Sequence, residues 1–370
     1  MKFTCEKIAL VSAISVASRT VAQKSTIPAL EGIYIRAGVK LTLSGYNLET
    51  GITISVDADI QQTGACIMPS RLFFDIIRKL PGDTVSISVD EKFKVSIRGG
   101  ISSFSITAMS SEDYPELPEV ESDKGISLPQ NELKAMIGGT SFAVSENQAR
   151  PIHTGCLFEV EDSSITVVAV DGYRLALRRW KSEEPIGRTL KFVVPAAALK
   201  EAEKILDDTD EACTFFLGSK HILFTIGEAT LVCRLLEGEF LDWRRVLPQN
   251  QPVKLAVNVA KMTDSIERVG LIISEKLKSP VRCKFGENTA DFRSVSTIGE
   301  AHDVCQIAGD GQDMEIGFNC RYLLDALRAI PDAECSLELI NGLSPIVMNP
   351  CDGSERYSYM VLPVRLKAGE

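Results

Sequence analysis

Apolar and polar positions alternate with two different periods along this chain. In six segments the apolar residues recur at three- and four-residue steps, as at Leu10, Ile14 and Ala17, which is typical of amphipathic helices. We predict helices over 7–18, 71–80, 131–142, 197–206, 260–274 and 321–329. Between them every second residue is apolar, which predicts antiparallel strands with one buried face. Clear examples are 84–89, 93–98, 104–107 and 164–170.

The strand–turn–helix pattern occurs three times at a domain-sized period. Its three copies align on Pro69, Pro195 and Asn319, which are 126 and 124 residues apart. A second strand–helix unit lies about 60 residues before each copy. We therefore predict an α+β fold of three similar domains, each with two helices packed on antiparallel sheet. The predicted domains are residues 1–122, 123–250 and 251–370.

The composition is that of a globular protein without a membrane segment. Hydrophobic residues make up 45% of the chain and charged residues 24%. The first residues carry charge where a signal peptide needs an apolar stretch, and no apolar run reaches the roughly 18–20 residues of a membrane helix. We expect the chain to be cytoplasmic.

Cysteine and histidine spacing favours neither disulfides nor a metal site. The ten cysteines include no C-x-x-C pair, and most of them lie in apolar, strand-like runs. We interpret them as buried, reduced thiols that pack as small hydrophobic side chains. His153, His221 and His302 are far apart and lack metal-ligand spacing. No metal and no cofactor are expected.

The sequence contains no catalytic motif. The P-loop, the dinucleotide-binding glycine pattern, the serine nucleophile elbow and the HExxH zinc motif are all absent. Asp171-Gly172 could be part of a carboxylate site, but this dipeptide is foremost a turn. We predict a non-catalytic protein, with an enzyme of unrecognised site as the alternative.

Net charge is unevenly distributed. The chain carries −10 overall, yet the six predicted helices hold eleven basic and seven acidic residues, so the rest is strongly acidic. These helices could simply have ordinary solvated faces. Alternatively, they form a surface that attracts DNA phosphates weakly and independently of sequence, while the acidic remainder of the protein repels them.

Five segments in order resemble the bacterial beta sliding clamp family, the processivity subunit of the replicative DNA polymerase. They are the opening 1–4 (MKFT) with 26–30 (TIPAL), 170–176 (VDGYRLA), 238–248 (GEFLDWRRVLP), 315–319 (EIGFN) and 359–366 (YMVLPVRL). The resemblance covers essentially the whole chain. It implies a head-to-tail homodimer that closes into a ring around double-stranded DNA, with helices lining the hole and sheets outside.

The resemblance also implies partners and their binding surfaces. The replicative polymerase, the clamp loader and repair polymerases would each insert a short peptide into one groove. Its residues, by position, are His153, Val170, Gly172, Tyr173, Arg174, Leu175, Leu241, Arg245, Val246, Asn319, Tyr322, Leu343, Pro345, Met360, Leu362, Pro363 and Val364. DNA contacts would come from Lys24, Asn147 and Arg150. Subunit contacts would join Leu72, Ile76, Phe104 and Ile106 to Ile272, Ile273, Glu300 and Asp303.

The chain departs from the family pattern at several of these positions. Leu241 replaces a usual proline, and Tyr173 replaces a frequent histidine. His153 stands where an aliphatic residue is frequent, and Ala196-Ala197 stand where basic residues are frequent. A peptide-binding scaffold that never encircles DNA is the second alternative, and ring formation distinguishes it from a clamp.

Overall fold

All six predicted helices are present in the computed structural model, which describes residues 1–121, 124–273 and 279–366. The described α-helices are α1 Lys7–Ala17, α2 Ser70–Lys79, α3 Gln130–Gly138, α4 Ala196–Glu203, α5 Trp243–Val246, α6 Val259–Gly270 and α7 Cys320–Arg328. Helix α3 ends earlier than predicted, at the pair Gly138-Gly139, because glycine is a poor helix former. Residue 274, the predicted end of α6, lies outside the described residues.

The predicted strands are also found, together with many others. In chain order they are β1 Lys2–Glu6, β2 Gly32–Ala37, β3 Leu41–Tyr46, β4 Thr50–Val56, β5 Asp59–Gln62, β6 Gly64–Pro69, β7 Thr84–Val89, β8 Lys94–Gly99, β9 Ser102–Thr107, β10 Ile126–Pro129, β11 Gly155–Glu161, β12 Ser164–Val170, β13 Arg174–Lys181, β14 Leu190–Pro195, β15 Ala212–Leu217, β16 His221–Ile226, β17 Ala229–Arg234, β18 Val253–Asn258, β19 Val281–Ser296, β20 Gly299–Phe318, β21 Glu334–Leu339, β22 Ile346–Pro350 and β23 Tyr357–Val361. Every strand pairing in these ladders is antiparallel, as the meander pattern predicts.

The described strands form three sheets. One has the order β5-β1-β7-β8-β9, so β9 lies at its edge. The second has the order β10-β15-β16-β17-β4-β3-β2-β6. The third has the order β14-β11-β12-β13-β23-β22-β21-β18-β20-β19 and ends in the long edge strand β19.

Backbone contacts divide the chain into two compact units. Unit 1 is Met1–Lys134 with Ala197–Leu235, and unit 2 is Ala135–Ala196 with Leu236–Glu370. Strands far apart in sequence join one sheet in each unit, through β17–β4 in unit 1 and β13–β23 in unit 2. The units therefore divide residues 123–250 between them, while the predicted boundary at 122 and 123 lies outside the described residues.

Each unit has its own helix-on-sheet core. In unit 1, α1 packs beside α2, and Phe3, Leu10, Ile14 and Phe73 are completely buried in one cluster. Truncating one such aromatic side chain to alanine costs about 3–5 kcal/mol, because a cavity remains. In unit 2, α6 packs beside α7 through fully buried residues. These include Met262, Ile266, Leu323 and Leu327.

The ten cysteines are free thiols in the structure, and most of them are buried. Eight are buried, Cys320 is half-buried and Cys351 is exposed. Burial raises the pKa of the Cys5 and Cys213 thiols to about 12. Within the described residues no group of three His, Cys, Asp or Glu side chains could hold a metal ion. No helix in the same part of the chain is long and apolar enough to cross a membrane.

Candidate functional site

An apolar surface lies in unit 2 where β13 and β23 pair. Leu175 faces Met360 across this ladder, and Arg174 faces Val361. Val170, Leu175 and Met360 are buried in one hydrophobic cluster, against which the half-buried Leu362 packs. Backbone hydrogen bonds between β13 and β23 fix the positions of Leu175 and Met360, so this part of the floor does not depend on loop conformation.

Several large apolar side chains predicted to border this floor are exposed, and we call them the rim. Tyr173 is 61% exposed and its ring stacks on Tyr322, with centroids 5.9 Å apart. Leu241, Val246, Leu343 and Val364 are exposed too. A stacked, exposed aromatic pair beside a packed apolar floor is typical of a binding site rather than of an inert surface.

Backbone hydrogen bonds hold the C-terminal segment along the floor. The Leu362 N–H donates to the Tyr173 carbonyl at 2.8 Å, and the Val364 N–H donates to the Gly317 carbonyl at 2.8 Å. Pro363, half-buried, lies between these two anchors and has no N–H to satisfy. The segment thus runs on from β23 to Gly317 near the end of β20.

Arg174 is the polar centre beneath the rim, and its guanidinium is bound within the chain. Its Nε donates to Asp171 at 2.9 Å and its two terminal nitrogens donate to Asp325 and to the Phe142 carbonyl, both at 2.6 Å. The guanidinium also lies 4.4 Å from the Tyr322 ring centroid. Arg174 is only 7% exposed, so it orients the rim instead of projecting towards a ligand.

Asp171-Gly172 forms the turn that the sequence predicts. One Asp171 carboxylate oxygen accepts the backbone N–H groups of Tyr173 and Arg174, at 2.9 and 3.0 Å. Gly172 has a φ of +91°, a conformation that side chains rarely adopt, and is exposed. The turn presents Tyr173 to solvent while its neighbour Arg174 points inward.

Asn319 starts α7 next to the rim. Its side-chain oxygen caps the helix by accepting the N–H groups of Arg321 and Tyr322, at 3.0 and 3.3 Å. Asn319 and Tyr322 also line a cavity of about 530 Å³ together with residues of α6 and α7. The helix cap therefore fixes the position of the Tyr322 ring.

The remaining predicted groove residues lie on three other segments. His153 is half-buried, with its ring 5.2 Å from that of Phe240; burial and then the charge of Arg150 lower its pKa. Arg245 is largely exposed and pairs with Asp242 at 3.1 Å. Leu343 and Pro345 lie in the turn that leads into β22.

Sequence reasoning missed part of this site. Trp243 and Val347 belong to the floor cluster, and Leu177 lies there as well. Trp243 stands inside the segment 238–248 that carries the family resemblance, so its aromatic character was a usable signal. Glu159, whose carboxylate accepts the Trp243 ring N–H, had no sequence signal because it lies on β11, 84 positions before α5.

The predicted subunit and DNA contacts differ in exposure. In unit 1, Leu72 and Phe104 are about half-exposed, whereas Ile76 is 6% exposed and packs in the core. Ile76 therefore presents little area to a second chain. The other predicted subunit contacts are half-buried or exposed: Ile106, Ile272, Ile273, Glu300 and Asp303. Lys24, Asn147 and Arg150 are exposed.

Comparison with known proteins gives one consistent family. Three domain families match in order: the DNA polymerase III beta subunit N-terminal domain over residues 1–118, its central domain over 127–242 and its C-terminal domain over 244–365. The chain thus has three similar α+β domains, as predicted.

Individual relatives match over the whole chain. A beta sliding clamp from Staphylococcus epidermidis is 32% identical over 381 residues, covering 99% of both chains. The crystal structure of the Bacillus subtilis DNA polymerase sliding clamp is 30% identical with a TM-score of 0.94, covering 99% of this chain and 100% of that one. A Pseudomonas aeruginosa sliding clamp bound to griselimycin is 28% identical with a TM-score of 0.93 and the same coverage.

The order of the domains, the full-length coverage and the structural likeness agree with the resemblance of the five sequence segments. The chain belongs to the DNA polymerase III beta subunit family, the beta sliding clamps, which are non-catalytic processivity factors of the replicative DNA polymerase.

Proposed function

We propose that two copies of this chain close into a ring around double-stranded DNA in the cytoplasm, and that the ring holds the replicative polymerase and other DNA-processing proteins through the groove in unit 2. The observation that carries the binding of partner proteins is the apolar surface with a packed floor at the β13–β23 ladder. We propose domain boundaries at 1–122, 123–250 and 251–370.

The groove suits a short peptide with aliphatic and aromatic anchors. Its floor of Val170, Leu175 and Met360 offers apolar contact without charge. Its rim supplies the stacked rings of Tyr173 and Tyr322. Such rings offer a large contact area to a peptide and lose little side-chain entropy on binding. Since the Arg174 guanidinium is engaged by two carboxylates and a carbonyl, selectivity would come mainly from apolar shape.

Two unpaired sheet edges support head-to-tail association. Strand β9 ends one sheet and exposes Phe104, while β19 ends another. Unpaired edges present backbone donors and acceptors that a second chain can satisfy. Because the two edges differ in sequence, their pairing is heterologous, that is, head to tail. Such pairing gives a closed ring when the rotation between successive subunits adds up to a full turn. On β20, the strand paired with β19, Asp303 pairs with Arg268 and Glu300 is exposed.

DNA binding would be weak and independent of sequence. Lys24, Asn147 and Arg150 are exposed, and the chain as a whole is acidic at −10. Each phosphate contact adds about one unit to the salt dependence of binding, so few contacts mean easy sliding. Retention on DNA would come from closure of the ring rather than from affinity.

The decisive experiment measures ring formation. Light scattering should give twice the chain mass of 40.4 kDa, and small-angle scattering should give a pair-distance profile with a central hole. A monomer across micromolar concentrations would overturn the clamp proposal in favour of the open peptide-binding scaffold.

A binding experiment tests the groove separately. Two probes are suitable: griselimycin, the ligand of the Pseudomonas aeruginosa structure, and a short fluorescein-labelled peptide with leucine and phenylalanine anchors. Met360→Lys would place a charge on the floor and should abolish binding. Val39→Lys changes a fully exposed residue of unit 1 and serves as the matched control.

A further inference from the structure

A buried carboxylate lies behind one wall of the groove. Glu159 on β11 has a side chain only 9% exposed. Its carboxylate accepts the Trp243 ring N–H at 3.0 Å and a terminal Arg244 nitrogen at 2.7 Å. Lys191, directly opposite Glu159 on β14, makes the third contact at 3.1 Å. Three donors, two of them cationic, thus converge on one residue.

The segment that these contacts hold has little stability of its own. Helix α5 contains four residues, and its N-cap Asp242 makes no capping hydrogen bond with its side chain. A helix this short does not form in isolation. Its position must come from tertiary contacts, and it carries Arg245 and Val246 and follows Leu241, three predicted groove residues.

Trp243 connects the carboxylate to the groove floor. The indole is 6% exposed and belongs to the same cluster as Val170, Leu175 and Met360. The Arg244 guanidinium covers the ring from outside, 4.2 Å from its centroid. The ring is therefore fixed on its edge by Glu159, on one face by Arg244 and elsewhere by the floor.

We propose that Glu159, Trp243 and Arg244 form a lock that sets the position of the Leu241–Val246 wall of the groove. The three are positioning residues, since none of them has to touch the bound peptide. The lock acts on the site assigned under the proposed function and therefore rests on it.

Stability alone does not account for this arrangement. Buried ion pairs contribute little more to folding than apolar side chains of the same volume, because desolvation offsets their attraction. What the charged arrangement adds is direction: the carboxylate accepts the indole N–H in one ring orientation only. A defined orientation is what a four-residue wall without its own capping requires.

Trp243 also provides a direct optical readout. The chain has two tryptophans, Trp180 and Trp243, so a Trp180→Phe background isolates Trp243 fluorescence. In that background Glu159→Leu should shift the emission to longer wavelength and increase quenching by iodide. Affinity for the fluorescein-labelled peptide should fall about tenfold, because the wall is no longer held in place. Glu159→Gln keeps an acceptor for the indole and should restore part of both signals.

A neighbouring carboxylate gives the matched control. Glu161 accepts from the same Arg244 at 3.2 Å but is exposed and does not contact Trp243. Glu161→Leu should leave the Trp243 emission and the peptide affinity unchanged. If Glu159→Leu does not fold, Arg244→Gln tests the same lock at a half-exposed site. It should also lower the affinity for the fluorescein-labelled peptide.

The outcomes separate the two proposals. Failure of the parent Trp180→Phe chain to bind either probe overturns the groove assignment and the lock with it. Normal binding by the parent together with equal affinity and equal emission in Glu159→Leu overturns the lock alone. A tenfold loss with displaced emission, absent in Glu161→Leu, supports the lock.

Discussion

Arg174 and Asp325 form an ion pair of 2.6 Å between β13 and α7, although they are 151 positions apart in sequence. Arg174 is 7% exposed and Asp325 22% exposed, so water screens this pair only weakly. A second carboxylate, Asp171, binds the same guanidinium from its own turn. The pair fixes α7, with Tyr322 on it, against the strand that carries the groove floor.

Removal of Arg174 should destabilise unit 2. Arg174→Leu leaves two carboxylates that are mostly buried without their cation, which costs about 3 kcal/mol. Thermal unfolding should show a lower Tm. Lys204→Leu is the control: it removes a half-exposed cation whose partner Glu201 keeps a second cation, Arg19, so the change should stay within about 0.5 kcal/mol. Equal melting of the two variants would contradict the assigned role.

Tyr173 should contribute to binding rather than to folding. Its ring is 61% exposed and stacks on Tyr322, so Tyr173→Ala removes ligand contact area but no core packing. Affinity for the fluorescein-labelled peptide should fall about tenfold, or 1.4 kcal/mol, with an unchanged Tm. Leu48→Ala, at an exposed apolar site of unit 1, should alter neither quantity. Unchanged affinity in Tyr173→Ala would remove this residue from the groove.

Phe104 should be needed for the dimer. It is 42% exposed on the edge strand β9, and Phe104→Asp would bury a charge if a second chain pairs there. Light scattering should then give the monomer mass of 40.4 kDa at micromolar concentration. Val39→Asp, at a fully exposed turn, should remain dimeric. A dimeric Phe104→Asp would exclude β9 from the interface.

Acid should weaken the Glu159 contacts. Burial by itself would raise the pKa of Glu159, but hydrogen bonds from Lys191, Arg244 and Trp243 outweigh it and hold the pKa below its ordinary value of 4.5. The unfolded chain therefore binds the proton more readily. The contribution to stability is complete above pH 4.5 and is lost as the pH falls through the folded pKa.

The comparison of wild type with Glu159→Gln isolates this contribution. The Tm difference between them should be constant above pH 5 and should shrink on further acidification. A difference that grows in acid would contradict the depressed pKa.

Cys351 should be the first thiol to react. It is exposed, while burial raises the pKa of Cys320 and of Cys305 to about 11. Partial burial, followed by nearby acidic residues, also raises the pKa of Cys351, so its thiolate fraction and its labelling rate should increase with pH. Mass spectrometry after brief maleimide treatment should find one adduct in the native protein and none in Cys351→Ser. Several equally fast adducts would contradict the observed burial.

The sequence by itself determined the local elements and the family. The three- and four-residue apolar period located six helices, with starts within one residue, because a helix that buries one face must repeat its apolar residues locally. The repeat at Pro69, Pro195 and Asn319 predicted three similar domains, and five short segments indicated the clamp family. Each of these signals lies within a short stretch of chain.

The tertiary structure alone decided which distant segments meet. The pairing of Leu175 with Met360, the burial of Ile76 and the convergence of Glu159 on Trp243 each join residues whose own neighbourhoods show no sign of the partner. Helix α5 was missed for the same reason, since four residues cannot display a helical period and owe their conformation to packing. Local sequence patterns report which face of an element is apolar, whereas the partner of that face is selected by the packing of the whole unit.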